Sequence, residues 1–313
     1  MKILKETKND IKNFGKLSVK DKIFIIFVWL FLIGFIAIIL YPIIDLFVAS
    51  LCSMDLMQDE ISHRVVYLTK FDMKLPGFRS LFSMNNVLHS LLISCLRVVI
   101  GTCTGVVADA VLAYILSRRK LLFKNSLTMF FVITLFLYSG LMPMIWFYKK
   151  LGLTGTFAVY IIPSMVNVAY MLILKKYMEQ LDENLEDAAR LDGAGYVNYF
   201  LKVVCPMCKP AFAVIALFIA TDQWNSWIDT MIFNRLQPEN SVFIYEIIKI
   251  ITQVGNYKKV FKAMPHKIIT TGYNVYAAAA VIVFIPALIA TPLILKFADS
   301  KIDIKYVKKK DIF

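Results

Sequence analysis

Long, uninterrupted apolar runs are the feature that most constrains how this chain can fold. One run extends from Ile23 to Leu51 and another from about Val87 to Leu116. A bilayer core about 30 Å thick requires roughly 20 apolar residues per helix, and both runs exceed that length. Because every backbone polar group must be paired inside lipid, a spanning segment of this kind is a helix. The sequence therefore predicts an all-α polytopic membrane protein.

The composition supports the same class of protein. Of the 313 residues, 59% are hydrophobic and 18% are charged, whereas soluble domains carry about 25% charged residues. The formal net charge is +13, from 35 Lys and Arg against 22 Asp and Glu. Much of this positive excess flanks the apolar runs, where basic residues set the orientation of the helices. Nucleic acid is therefore not expected as a partner.

Further apolar segments bring the expected number of transmembrane helices to about six. The additional segments cover residues 127–148, 157–174, 207–233 and 273–295. The lysine-rich residues 1–22 precede an apolar run that is too long to be the core of a signal peptide, and the tail 298–313 is also basic. Basic flanks favour the inner side of the membrane, so both termini are predicted to be cytoplasmic. Residues 52–86 then form an external segment.

The polar stretch 177–206 lies between two of the predicted spans and is expected in the cytoplasm. Its residues Leu185 to Gly195 read LEDAARLDGAG. Acidic residues near the start suit the positive end of a helix dipole. Gly193 is predicted to end this helix in the left-handed conformation. Pro206 is predicted to lie in the first turn of the next helix, where proline is tolerated.

These residues resemble the EAA loop of ABC-importer permeases, which reads Glu-Ala-Ala, three residues, Gly, nine residues, and then Ile-x-Leu-Pro. Residues 187–189 (DAA) occupy the first part, Gly193 the second, and Val203, Cys205 and Pro206 the last. Asp, Val and Cys replace the usual Glu, Ile and Leu, while the spacing is kept. Residues 188–194 are similar to the carbohydrate-importer version of the loop. YSG at 138–140, MP at 142–143 and QWNSW at 223–227 are similar to oligosaccharide permeases that pair two unlike chains.

The resemblance, which spans roughly residues 85–295, implies a type I ABC importer permease fold in a bacterial cytoplasmic membrane. It implies a permease core at 87–297 that imports an oligosaccharide delivered by an extracytoplasmic binding protein. The implied partners are a second permease subunit in a heterodimer, two copies of a nucleotide-binding ATPase and the membrane lipid. In that family the loop docks into a groove of the ATPase. The residues expected to couple to the ATPase are Glu186, Asp187, Ala188, Ala189, Arg190, Asp192, Gly193 and Pro206.

No enzymatic activity is expected of this chain itself. The phosphate-binding pattern GxxxxGK[ST] does not occur, so ATP and Mg²⁺ are assigned to the partner ATPase. The one CxxC pattern, at residues 205–208, lacks a second pair and the three histidines are scattered. Packing is therefore preferred over a metal or redox site, and no cofactor is expected. The Gly101–Gly105 step in the second run predicts close helix packing.

Four residues are candidates for the substrate pathway: Arg97, Trp224, Asn225 and Trp227. Charged groups inside a span are costly and suggest function. Arg97 and Asp109 lie about 18 Å apart along one helix and cannot pair directly. Arg97 either faces a cavity that attracts acidic sugars, or pairs with a partner chain or snorkels. The tryptophans suit sugar rings, but equally an interfacial belt.

An acidic cargo is expected because basic residues outnumber acidic ones. Four of the lysines, at positions 258, 259, 262 and 267, are predicted to lie on the outer side of the membrane. Charge of one sign in a low-dielectric cleft concentrates the opposite charge. Neutral sugars remain an alternative. Two other kinds of protein also remain as alternatives. One is an ABC permease for another small solute, and the less favoured one is a secondary transporter, which would require broken helices and internal repeats.

Overall fold

The computed structural model describes residues 18–51, 75–84, 86–137, 139–260 and 272–298. The predictions for residues 1–17, 52–74 and 299–313, and for Tyr138, Lys262 and Lys267, lie outside these residues. The first helices are α1 (Val19–Leu51), α2 (Pro76–Ser83), α3 (Val87–Ser117), α4 (Lys124–Phe136), α5 (Leu141–Lys150), α6 (Ala158–Ile161) and α7 (Val168–Met178). The remaining helices are α8 (Glu183–Leu191), α9 (Tyr196–Tyr199), α10 (Cys205–Met207), α11 (Lys209–Asn225), α12 (Ile228–Phe233), α13 (Phe243–Val260) and α14 (Gly272–Ala298).

A π-helix, Phe200–Val204, joins α9 to α10, and a short 3-10 turn, Pro238–Asn240, precedes α13. Within the described ranges every regular element is helical, as the apolar pattern predicts. The chain divides into two compact units. The first contains the described residues up to Phe78 together with 272–281, and the second contains the rest.

In the first unit, α1 exposes apolar side chains along most of its length. Its buried residues lie only at its end, from Val48 to Leu51. There Ala49 packs against Ala277 of α14, and the Asn274 Nδ2 donates to the Ala49 carbonyl at 3.0 Å. By length and composition α1 is able to cross a membrane, so its exposed apolar surface suits contact with lipid or another membrane chain.

The second unit is built around α3, which packs against α7 and α11. A Cβ atom on Gly101 would lie 2.8 Å from the Cδ of Gln223, and one on Gly105 would lie 3.2 Å from the Cδ1 of Ile219. Both contacted residues belong to α11. The predicted close packing at these glycines is therefore confirmed, because α3 and α11 approach too closely there for larger side chains.

Three predicted spans are interrupted, which corrects the expectation of continuous helices. The segment 127–148 forms α4 and α5, bent by 112°, with Gly140 at φ +84° between them. The segment 157–174 forms α6 and α7, separated around Pro163, and the segment 207–233 breaks at the extended Ser226 between α11 and α12. Gly and Pro interrupt helices because one accepts left-handed angles and the other lacks an N–H.

These interruptions leave the number of spans undecided. Among the described residues two single helices, α1 and α3, are long and apolar enough to cross a membrane. Two bent pairs, α4 with α5 and residues 196–207 with α11, bring the total to four if each pair makes one crossing. The prediction of about six spans with cytoplasmic termini stays a prediction.

Candidate functional site

The first part of the polar segment after α7 folds as its sequence predicts. The Asp182 side chain caps α8 by accepting from the Asn184 backbone N–H at 3.1 Å, which satisfies one of the free donors of the first turn. At the other end Gly193 has φ +78°, which confirms the left-handed turn. The Ala194 N–H returns to the Ala189 carbonyl at 2.9 Å. Pro206 lies near the end of a continuous helical run from Tyr196 to Met207, so the prediction that it lies in the first turn of a new helix is wrong.

Helix α8 has one face that leaves four side chains exposed. They follow the i, i+3, i+4, i+7 spacing of one helical face. Leu191 is 89% exposed, although it is a large apolar side chain. The next residue along the chain from Glu186 is Asp187, yet the two acids project in different directions because successive residues differ by about 100°. We call the four exposed side chains of α8 the exposed stripe: Asn184, Asp187, Ala188 and Leu191.

The opposite face of α8 is attached to the rest of the unit. Ala189 packs against the apolar core that includes the end of α3. The Glu186 carboxylate accepts from the Arg118 Nη1 at 2.9 Å and from the Arg190 Nη2 at 2.8 Å. Glu186 therefore joins two arginines, one at the end of α3 and one on its own helix.

Arg118 is held on several sides as well. Its Cζ lies 4.4 Å from the centroid of the Tyr114 ring and 5.5 Å from that of Tyr199. The Tyr114 hydroxyl donates to the Tyr196 carbonyl at 2.9 Å. The end of α3 thus contacts both α8 and the returning helix α9. The sequence alone does not indicate this contact, because Glu186 lies 68 residues further along the chain than Arg118.

Arg190 completes this arrangement on the exposed side. Its Nη2 also donates to the Tyr196 hydroxyl at 3.1 Å. Desolvation is the largest single influence on the pKa of Arg190 and lowers it, but the combined charges and hydrogen bonds of Tyr196 and Glu186 raise that pKa above its usual value. Arg190 therefore stays charged. A pocket of about 220 Å³ opens beside it, lined by Glu186, Arg190, Ala194, Gly195, Tyr196 and Tyr199.

Arg97, the first pathway candidate, does not present a free charge to a cavity. It is 2% exposed and forms an ion pair with Asp229 of α12. Its Nε donates to Gln223 Oε1 at 2.9 Å, and its Nη1 donates to the Ser226 carbonyl at 3.1 Å. The pair differs from the predicted one with a partner chain, because Asp229 belongs to the same chain. Asp109 is also buried, and its Oδ1 accepts from the Asn167 N–H at 3.0 Å, where α7 begins.

The other three candidates differ in their surroundings. The Trp224 Nε1 donates to the Val283 carbonyl of α14 at 3.1 Å, and Trp227 packs against the core around Tyr160. Both rings therefore contribute to packing within the unit. Asn225 is exposed at the end of α11.

Two residues that sequence reasoning missed lie near Asn225. The Tyr170 hydroxyl donates to Asp222 Oδ2 at 2.7 Å, and the Tyr170 ring stacks on Phe218 with centroids 5.7 Å apart. Asp222 is exposed near the end of α11, a mostly apolar helix. A carboxylate within a span requires water or a polar partner. We call Tyr170, Phe218, Asp222 and Asn225 the polar patch.

Comparison with known proteins identifies the family. Residues 99–234 match the family described as "Binding-protein-dependent transport system inner membrane component". The polygalacturonan/rhamnogalacturonan transport system permease protein YtcP of Bacillus subtilis is 30% identical over 214 residues, which cover 68% of this chain and 73% of YtcP. The chain belongs to this family.

Other relatives agree with this assignment. Protein LplC of Bacillus subtilis is 27% identical over 65% of this chain and 68% of its own length. The arabinooligosaccharides transport system permease protein AraQ of Halalkalibacterium halodurans is 24% identical over 83% of this chain and 89% of its own length. A solved bacterial ABC transporter, involved in the import of the acidic polysaccharide alginate, contains a chain with the same fold. The match has a TM-score of 0.81 at 24% identity, and covers 90% of this chain and 98% of that chain.

Membership of the family decides the general role of the chain. It is an inner membrane permease component of an ABC importer and has the type I permease fold. ATP hydrolysis takes place in a separate nucleotide-binding subunit, so this permease is not an enzyme. A permease of this kind works with an ATPase, a solute-binding protein and a second permease.

Proposed function

We propose that this permease imports an oligosaccharide and couples to its ATPase through the exposed stripe of α8. The observation that carries the proposal is the pairing of an exposed acid, Asp187, with the 89% exposed Leu191 on one face of a capped helix. An exposed apolar side chain beside a charged one suits a protein interface, whose centre is apolar and whose rim is polar.

The assembly we propose contains this chain, a second and different permease, two ATPase copies and an extracytoplasmic binding protein. ATP and Mg²⁺ bind in the ATPase subunits. The exposed stripe docks into one ATPase, while Ala189, Arg190, Asp192, Gly193 and Pro206 shape the segment around it. Closure of the ATPases then moves α8, and the motion reaches the membrane helices.

The cargo is proposed from the relatives and from the polar patch. Relatives named for polygalacturonan, rhamnogalacturonan and arabinooligosaccharides support a carbohydrate. In the polar patch a stacked aromatic pair offers an apolar face, and Asp222 and Asn225 offer hydrogen-bonding groups. Sugars present apolar ring faces and hydroxyls, which suit this combination.

Within the carbohydrates, the cargo proposed is an acidic oligosaccharide. A galacturonan carries carboxylate groups, so the relative named for polygalacturonan favours it. Arg97 contributes its charge to the cargo only if its ion pair with Asp229 opens. Outer lysines are then the main source of attraction, and neutral oligosaccharides are the competing cargo. ATPase stimulation by binding protein loaded with uronate-containing or with neutral oligosaccharides separates the two.

Docking is tested by charge reversal on the exposed stripe. In the reconstituted complex, Asp187→Arg should weaken ATPase binding about tenfold, which corresponds to about 1.4 kcal/mol, and ATP-driven uptake should fall. The matched control is Glu239→Arg, an equal change of charge at an exposed residue outside α8. Undiminished ATPase binding and uptake by Asp187→Arg would show that α8 is not the docking element.

A further inference from the structure

The two adjacent acids of α8 have different surroundings. Asp187 is exposed, whereas the Glu186 side chain is 23% exposed and bridges Arg118 and Arg190. A side chain whose two oxygens are both occupied inside the chain is poorly placed to bind a partner. We infer that Glu186 is a positioning residue that transmits the motion of α8 to α3 through Arg118, while Asp187 contacts the ATPase. The inference rests on the proposed function, because it assumes that α8 docks.

The Arg118–Glu186 pair is well placed to transmit motion. It joins α8 to the last turn of α3, and the tyrosines around Arg118 restrict where the guanidinium can move. Helix α9 also contacts α3, because the Tyr114 hydroxyl donates a hydrogen bond to the Tyr196 carbonyl. The end of α3 is therefore in contact with both α8 and α9. A movement of either α8 or α9 would therefore move α3 as well.

The path continues from α3 into the membrane part of the unit. At Gly101 and Gly105, α3 packs directly against Gln223 and Ile219 of α11, so a movement of α3 is passed to α11 through this close contact. Helix α11 carries Phe218 and Asp222 of the polar patch. A contiguous set of contacts thus runs from α8 through Glu186, Arg118 and α3 to the proposed cargo surface, and such a set can carry coupling energy between two sites.

The ion pair, rather than either residue alone, is the coupling element. Glu186→Gln keeps the shape of the side chain and removes its charge, and Arg118→Gln removes the partner charge. Both variants should keep the ATPase bound and hydrolysing ATP. Each should reduce cargo transported per ATP about fivefold, within the range by which substitutions in such networks change coupling. The double variant should lose no more than either single one, whereas independent effects would multiply to about 25-fold.

The measurement uses the full complex in proteoliposomes with its loaded binding protein, and records uptake, ATP hydrolysis and ATPase binding for each variant. Lys120→Gln, an exposed basic residue two positions from Arg118, is the matched control and should change none of them. A purely structural role would lower insertion or thermal stability but not the ratio of uptake to hydrolysis. Arg118→Lys, which keeps the charge, should retain more of that ratio than Arg118→Gln.

Two results would overturn the inference. One is an unchanged ratio of uptake to hydrolysis in Glu186→Gln. The other is loss of ATPase binding in Glu186→Gln but not in Arg118→Gln, because Glu186 would then contact the ATPase directly. Either result leaves the docking proposal intact if Asp187→Arg still releases the ATPase. Retention of the ATPase by Asp187→Arg, in contrast, contradicts the docking proposal itself.

Discussion

At the scale of single residues, the surroundings of each charge decide what it does. Arg97 and Asp187 are both charged residues in helices, but one is 2% exposed and paired and the other is exposed. The Arg97 guanidinium also lies 4.5 Å from the Tyr160 ring centroid. Its hydrogen bonds to the Ser226 carbonyl and to Gln223 hold the break between α11 and α12 against α3. Arg97 is therefore a structural residue in this conformation.

This placement predicts a stability effect that depends on the partner. Arg97→Leu should destabilise the permease by about 3 kcal/mol, because removing one member of a buried pair leaves the other charge uncompensated. The double variant Arg97→Leu/Asp229→Leu should recover part of the loss, since no lone charge remains. Thermal unfolding in detergent measures both. If the double variant is no more stable than Arg97→Leu, the ion pair does not explain the loss of stability. If Arg97→Leu instead loses uptake of acidic cargo without losing stability, Arg97 has a direct role in transport.

At the scale of elements, α8 depends on how it begins and ends. Asp182 caps its start, and Gly193 turns the chain so that the segment can return through α9. A Cβ atom on Gly193 would meet nothing within 4 Å. Within the described part of the chain, the obstacle to another residue at position 193 is therefore the backbone conformation. Two substitutions that differ in the backbone angles they accept should differ in effect.

Gly193→Ala should cost about 1–2 kcal/mol at this turn, because a left-handed angle crowds the Cβ atom. Gly193→Pro should do more damage, since proline requires φ near −65° and lacks the N–H that donates to the Arg190 carbonyl at 3.0 Å. Both proteins should insert, and ATP-driven uptake should fall in the order Ala, then Pro. Equal, normal uptake by both variants would mean that the shape of this turn does not matter for coupling.

At the scale of the whole molecule, the permease is one subunit of a transporter in which another subunit hydrolyses ATP. Nothing in its sequence matches the phosphate-binding loop, and its family places hydrolysis in a separate subunit. The exposed apolar surface of α1 suits lipid or a second membrane chain, and the exposed stripe of α8 is the surface proposed to bind the ATPase.

The purified permease should therefore hydrolyse no ATP, with or without Mg²⁺, and hydrolysis should appear only when its ATPase is added. The measurement is phosphate release by the chain in detergent and in liposomes, alone and with the ATPase. Asp187→Arg, which is expected to bind the ATPase weakly, is the control for stimulation. Hydrolysis by the permease alone, after contaminating ATPases are removed, would contradict this division of labour.

Features set by short stretches of sequence were predictable. The apolar runs identified α1 and α3, because the length needed to cross a bilayer is a local property. The acidic start and Gly193 predicted the shape of α8 and of the turn after it, since helix caps and left-handed turns depend on a few neighbouring residues. Pro206 did not begin a new helix as predicted, because the chain is already helical from Tyr196. The bends between α4 and α5 and between α6 and α7 were missed, although Gly140 and Pro163 lie close to them. In a strongly apolar run, single residues of these types are often tolerated.

The sequence by itself determined the class of the protein and the shape of α8 with its turn at Gly193, because hydrophobic length, capping residues and a spaced motif act locally. Tertiary structure decided which charges are free and which are paired. Arg97 finds Asp229 across 132 residues, and Arg118 finds Glu186 across 68. Tyr170 and Asp222 meet only because α7 and α11 both pack on α3. No local pattern specifies such partners, since they depend on how closely helices approach, and that distance is set by small residues such as Gly101 on one helix and their neighbours on another.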